Sequence, residues 1–284
     1  MVTAYQPRTL EEALTIRSER QAIALAGGTD LLVRHRGWSG TLPAIEQPVL
    51  FLNKIEALKN IDRSEHGITI GAAVTLTELL ESSVLPPDLR SAISQMASPA
   101  IRNAATLGGN ICNASPAADT LPSLYAADAI VRLQRPGGQR DLPIRAFITG
   151  PGQTVLANDE LLTEIQIPIT AFNRISYRKV GTRKANALSK LSFVGLARID
   201  GTSVQDIRFA FGAVAPTIVR EPAFESLLIG MPLPDVPAHA DAVCRHFAER
   251  IVPIDDQRST ASYRKTTALR LLADFLDRLP DADT

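Results

Sequence analysis

Apolar positions in the first part of the chain fall in short runs, each closed by a polar or glycine-rich break. Thr9-Leu10-Glu11-Glu12-Ala13-Leu14 fits a capping box, with Glu12 reaching back to Thr9, and predicts a helix to about Ser18. Ala22-Ile23-Ala24-Leu25 and Val49-Leu50-Phe51-Leu52 read as buried strands, so the chain opens as a small βαβ-like lobe. From about Glu56 the texture changes. Residues 67–74 alternate as a strand, and Thr75-Leu76-Thr77-Glu78-Leu79-Leu80 repeats the capping-box pattern. Pro86-Pro87 ends that helix, and another is predicted over 88–97. Residues 98–120 are small and polar and predict a long loop without regular structure, which in a compact domain is usually functional.

Farther on, a helix is predicted over 121–127 and a strand over 129–134, turned by Pro136-Gly137-Gly138 into a partner at 140–144. Residues 160–167 form a further strand closed by Pro168, and a boundary falls at 171–174. Three strands follow at 175–180, 192–199 and 205–214, then helices at 222–229, 235–251 and 262–279. Strands followed by helices indicate an α+β layer domain. Leu269, Leu272, Ala273 and Leu276 lie on one stripe of the last helix and read as core.

The chain has 284 residues, room for two or three domains, and 45% hydrophobic residues, enough for a packed core. Thirty basic residues balance thirty acidic ones, which argues against nucleic-acid binding and against a polybasic membrane anchor. No apolar run approaches a membrane span, and Met1-Val2-Thr3-Ala4-Tyr5-Gln6-Pro7 lacks the features of a secretory signal, so a cytoplasmic protein is expected. Two cysteines, Cys112 and Cys244, are too few for an iron–sulfur cluster or a disulfide framework and are read as reduced thiols. His35, His66, His239 and His246 show no metal-ligand spacing.

The distinctive chemistry lies in two glycine turns. Ala26-Gly27-Gly28-Thr29-Asp30-Leu31 follows a strand and leads into a helix start. Adjacent glycines let the backbone approach a ligand, and successive N–H groups make a concave anion site. Asp30 would repel a phosphate there, so it is expected to turn back and cap its own helix. Thr106-Leu107-Gly108-Gly109-Asn110 repeats this character far downstream. Two such loops could clamp the phosphates of one dinucleotide. No nucleophile–base pair stands out, and no catalytic residue is assigned.

These motifs, together with the run from Ile111 to Asp119 through Ser115-Pro116, Tyr177-Arg178-Lys179-Val180-Gly181-Thr182-Arg183 and Phe211-Gly212-Ala213-Val214-Ala215-Pro216-Thr217, closely resemble the FAD-binding medium subunit of the xanthine dehydrogenase and carbon monoxide dehydrogenase family of molybdenum hydroxylases. The resemblance covers nearly the whole chain. It implies an α+β protein with a two-lobed FAD-binding domain like that of vanillyl-alcohol oxidase (1–55 and 56–172), followed by a C-terminal α+β domain (173–284) with a three-stranded sheet and helices. By motif, it implies FAD contacts from Leu25, Ala26, Gly27, Gly28, Thr29, Asp30 and Leu31, and onward to Leu32. Thr106, Gly108, Gly109 and Asn110 would supply a second phosphate-facing turn, with Asp119, Leu161 and Lys179 adding contacts. Met96 is a looser apolar match, and Arg183 and Lys184 read as a solvated or subunit-facing pair.

The same resemblance implies an iron–sulfur small subunit and a molybdopterin large subunit, commonly in a dimer of heterotrimers. Molybdopterin and the clusters would sit on those partners, and electrons would pass to FAD on this chain and on to NAD+ or another acceptor. The 180–190 segment looks closer to purine or other N-heterocycle dehydrogenases than to the carbon monoxide enzymes, although substrate choice is made in the large subunit. A self-sufficient flavin oxidase would need a catalytic base that the sequence does not advertise. A flavin-free scaffold is disfavoured by the intact glycine turns.

Overall fold

The structure, a computed structural model, describes residues 2–38, 41, 44–183 and 186–281. They form two compact units drawn from non-consecutive stretches: Met1–Leu85, Ala97–Ser115 and Asp128–Ile169 make the first, and Pro86–Met96, Pro116–Ala127 and Thr170–Thr284 the second.

The first unit begins with the βαβ-like opening. Strands β1 (Ala4–Tyr5) and β2 (Ile23–Leu25) both run parallel to β3 (Val49–Phe51) in the order β1-β3-β2, with helix α1 (Leu10–Arg20) as the crossover. Thr9 caps α1 by accepting the Glu12 N–H at 3.2 Å, but the Glu12 carboxylate reaches Arg8 N–H rather than closing the box on Thr9. Helix α2 (Leu31–Arg34) follows β2. The second sheet is antiparallel, in the order β4-β5-β10-β6-β7: β4 (Ile61–Arg63), β5 (Gly67–Gly71), then, after α3 (Leu76–Glu81), strands contributed from farther along. Thr75 and Glu78 form the complete capping box at α3.

The chain then enters the second unit for α4 (Pro87–Ser94) and returns. The expected structureless loop over 98–120 is instead about half helical, with α5 (Pro99–Arg102), α6 (Leu107–Asn113) and, in the second unit, the start of α7 (Thr120–Ala126). Ser98 and Thr106 each cap the helix that follows them, so the small polar residues mark helix starts. Strands β6 (Ile130–Arg135) and β7 (Gly138–Pro143) form the expected hairpin. A short helix α8 (Ile144–Phe147) and the pair β8 (Ile148–Gly150) and β9 (Gln153–Thr154) precede the central strand β10 (Leu161–Pro168).

The second unit is built on an antiparallel sheet, β11 (Arg174–Val180), β12 (Leu191–Asp200) and β13 (Ser203–Gly212), in that order. Beyond it lie α9 (Pro222–Glu225), α10 (Val236–Arg250) and α11 (Ala261–Asp277). Helices α10 and α11 cover one face, where Gly195 of β12 leaves just enough room for the Phe275 ring. Helices α4 and α7 cover the other, where Pro122 packs over Gly212. Residues 191–197 of the middle strand are therefore buried on both faces, which explains the unbroken Leu-Ser-Phe-Val-Gly-Leu-Ala run.

The α10/α11 face carries an aromatic cluster. Phe247 meets the Phe209 ring at 5.7 Å, the Phe211 ring at 5.4 Å and the Phe224 ring at 6.1 Å. Leu272 and Leu276 of the expected stripe are fully buried, Leu269 packs at its margin and Ala273 is half-buried. Arg264, one turn before Ala268, is buried on the same stripe. Truncating Phe247 to Ala removes the ring shared by these contacts and is expected to lower the unfolding free energy of this unit by about 3–5 kcal/mol, read from denaturant titration.

Candidate cofactor-binding site

The two glycine turns meet within the first unit. Gly27 lies so close to the Ala104 carbonyl that a methyl group would overlap it, and that methyl would stand 3.0 Å from the Ala105 Cα. The 104–106 stretch is held from its other side, because Leu76 N–H donates to the Ala105 carbonyl at 2.9 Å and Thr75 bridges to Thr106. At the far ends of the short helices, Arg34 Nη2 donates to the Asn113 carbonyl at 3.2 Å.

The first turn is a donor-rich cradle. Leu25 is buried at the end of β2, and Gly28 adopts φ +70°, a left-handed conformation that glycine supplies without strain. The carbonyls of Gly28, Asp30 and Leu31 are used by the N–H groups of Leu32, Arg34 and His35. The N–H groups of Gly27, Gly28, Thr29 and Asp30 donate to no group among the described residues. Ala26, Thr29 and Leu31 are half-buried around them. Consecutive unpaired amides on one tight turn suit an anion such as a diphosphate. Asp30 does not cap α2, contrary to expectation: its backbone is already helical (φ −105°, ψ −44°), so the exposed carboxylate is not brought over the first-turn amides.

The second turn is closed by comparison. Leu107 N–H donates to the Val74 carbonyl, Gly108 N–H to that of Ala72 and Asn110 N–H to that of Thr106, while Gly109 N–H is taken by Thr106 Oγ1 at 3.0 Å. The amides expected to face phosphate are engaged within the chain. Gly108 is a packing glycine, since a Cβ there would stand 2.6 Å from the Ala72 Cβ. Gly109 is exposed and Asn110 half-buried, so the turn presents a surface beside the cradle rather than open donors. Cys112, on α6, has its thiol pushed up to about 12 by burial and stays protonated.

Leu161 is 2% exposed and belongs to an apolar core with Ala13, Leu50 and Leu58. Asp119 and Lys179 lie in the second unit and pair with each other at 2.7 Å, with side chains 7% and 5% exposed. Asp119 also accepts from Ser189 Oγ, and Lys179 donates to the Gln95 carbonyl at 3.0 Å. Tyr177, on the same face of β11 as Lys179, is held protonated by burial and by Asp119 beside it. Met96 is buried. Arg183 turns onto the Asn186 carbonyl, and Lys184 lies outside the described residues. Sequence reading missed Ala104, Ser189 and Arg264; only Arg264 had a visible signal, a charge on the apolar stripe of Ala268, Leu272 and Leu276.

Residues 1–170 match a family described as the FAD binding domain in molybdopterin dehydrogenase. This chain belongs to that family. Residues 176–279 match the CO dehydrogenase flavoprotein C-terminal domain. The flavoprotein is 33% identical over 223 residues to a xanthine dehydrogenase FAD-binding subunit of Escherichia coli O157:H7, covering 76% of this chain and 75% of that one. It is 29% identical to the carbon monoxide dehydrogenase medium chain of Hydrogenophaga pseudoflava, covering 93% and 92%. A solved carbon monoxide dehydrogenase from H. pseudoflava, lacking the Mo-pyranopterin moiety of its cofactor, superposes with a TM-score of 0.85 at 27% identity, covering 97% and 96%. The chain is thus an FAD-binding subunit of a molybdenum-dependent oxidoreductase.

Gly27→Ala forces the first turn away from Ala104, and is expected to lower the thermal midpoint and to abolish FAD retention. Asp30→Ala, at an exposed residue that caps nothing, is expected to change stability by no more than about 0.5 kcal/mol, read by thermal unfolding beside flavin content. Lys179→Met leaves the buried Asp119 carboxylate without its cation and is expected to cost about 3–5 kcal/mol in urea unfolding.

Proposed function

We propose that this chain is the electron-transfer flavoprotein of a heterotrimeric molybdenum hydroxylase of the xanthine, N-heterocycle or carbon monoxide dehydrogenase type. A small iron–sulfur subunit and a large molybdopterin subunit supply electrons, and NAD+ or another acceptor receives them. The assembly is a dimer of heterotrimers in the cytoplasm, with lobes 1–55 and 56–172 holding FAD and 173–284 as the C-terminal domain.

The observation that carries this reading is the set of N–H groups at Gly27, Gly28, Thr29 and Asp30 that have no partner among the described residues, on a turn where Gly27 lies too close to Ala104 to admit a side chain. FAD, when bound, accepts electrons singly or in pairs and releases them either way. The chain's own residues bind and orient it. The Gly27–Gly28 turn donates to the diphosphate, Leu25, Ala26 and Leu31 frame that turn, and Thr29 and Asp30 extend its row of amides. Thr106, Gly108, Gly109 and Asn110 form the neighbouring wall, with Gly108 setting the depth of α6 through Ala72. For Asp119, Leu161 and Lys179 the family resemblance supports a cofactor contact. In this structure the Lys179 ammonium and Ser189 hydroxyl keep the Asp119 carboxylate oriented. Subunit names among the relatives support the partners, including a nicotinate dehydrogenase FAD-subunit from Eubacterium barkeri, 28% identical.

The purified chain is expected to be yellow and to release FAD on denaturation. Affinity purification from its own cells is expected to bring down one iron-rich and one molybdenum-containing chain, and the complex to reduce NAD+. A colourless chain would exclude the cofactor reading, and a yellow chain purified alone with its own substrate turnover would favour the self-sufficient oxidase.

A further inference from the structure

Strand β13 ends in a left-handed bend made by an alanine. Ala213 has φ +60°, a conformation that costs an L-residue roughly 1–2 kcal/mol and persists only where neighbours impose it. Two contacts impose it. Ala213 N–H donates to the Pro116 carbonyl at 2.8 Å, and the Ala213 carbonyl accepts from Arg264 Nη1 at 3.4 Å. The other terminal nitrogen of Arg264 pairs with Asp256, whose second oxygen is held by Arg258 at 2.7 Å.

Arg264 is 2% exposed, and its Nε–H finds no partner among the described residues. A buried guanidinium with an unmet donor is a costly way to fill a position that continues the apolar stripe of Ala268, Leu272 and Leu276. Fold stability alone would favour an apolar side chain there. What the guanidinium holds instead is the bend, and through it Pro116, three residues before Asp119. The stretch from Pro116 to Asp119 is thus fixed at one end through Ala213 and Arg264, and at the other by Lys179 and Ser189.

We propose that Arg264 is a positioning residue for Asp119: acting through Ala213 and Pro116, it sets where the Asp119 carboxylate stands to receive FAD. This rests on the reading that Asp119 contacts the cofactor.

The test is a double-mutant cycle on the full chain, with FAD affinity read from quenching of flavin fluorescence. Arg264→Gln is expected to weaken FAD binding about tenfold, while Arg264→Gln combined with Asp119→Asn binds no more than about twofold worse than Asp119→Asn alone. A general structural role would make the two losses multiply, and that result overturns the proposal, as does an unchanged affinity in Arg264→Gln. If Arg264→Gln does not fold, Asp256→Asn, which leaves the guanidinium in place without its counter-ion, runs the same cycle with the same two readings. A wild-type chain that takes up no FAD overturns the cofactor reading and this inference together. Weakened but measurable FAD binding in Asp119→Asn with multiplying losses in the double variant overturns this inference alone.

Discussion

Backbone touching backbone, with no space for a methyl group, sets the geometry of the first unit. Gly27 stands against the Ala104 carbonyl, and Gly108 stands against Ala72. Each contact fixes one glycine turn to a rigid neighbour: the first to the end of a capped helical stretch, the second to the residue after β5. Any side chain at either place would open the packing on which the turns' mutual placement depends. The two turns look alike in sequence and do different work. Among the described residues the first keeps its amides free, and the second spends most of its own on the carbonyls of Ala72, Val74 and Thr106.

The second unit answers to a different constraint. Residues 191–197 of its middle strand have no solvent face, so charged groups packed near that strand must find partners inside. Lys179 and Asp119 do so on the α4/α7 side, and Arg264 and Asp256 near the end of β13. The first pair is buried, and in the second the buried Arg264 meets a half-buried Asp256. Such pairs seldom add stability over apolar replacements, so their use is better sought in what they orient.

Most of the fold was legible in the sequence because its local signals agree. The capping patterns at Thr9 and Thr75 mark real helix starts, Pro87 begins α4, and the apolar run over 192–199 reads as a strand, which β12 is. The misreadings share a cause. Residues 98–120 contain short helices started by Ser98 and Thr106, and small side chains such as Gly108 reflect close packing rather than looseness. At Asp30 the residue type suggested a cap, but backbone dihedrals decide capping, and they are not written in the residue type. At the candidate site the glycines were legible, whereas the fate of each N–H was not. That depends on carbonyls such as those of Ala72 and Val74, some thirty positions away in sequence.

Helices α4 and α7 reach the ribosome exit well before the strands they will cover, since β11 begins only at Arg174. During synthesis they must wait, apolar sides unsatisfied, for a sheet that does not yet exist. Conversely, a fragment starting after Ile169 would carry the sheet without that cover, leaving Val194, Leu196 and Ala210 bare to water. The seam where the chain looks divisible in sequence is therefore a poor place to cut it.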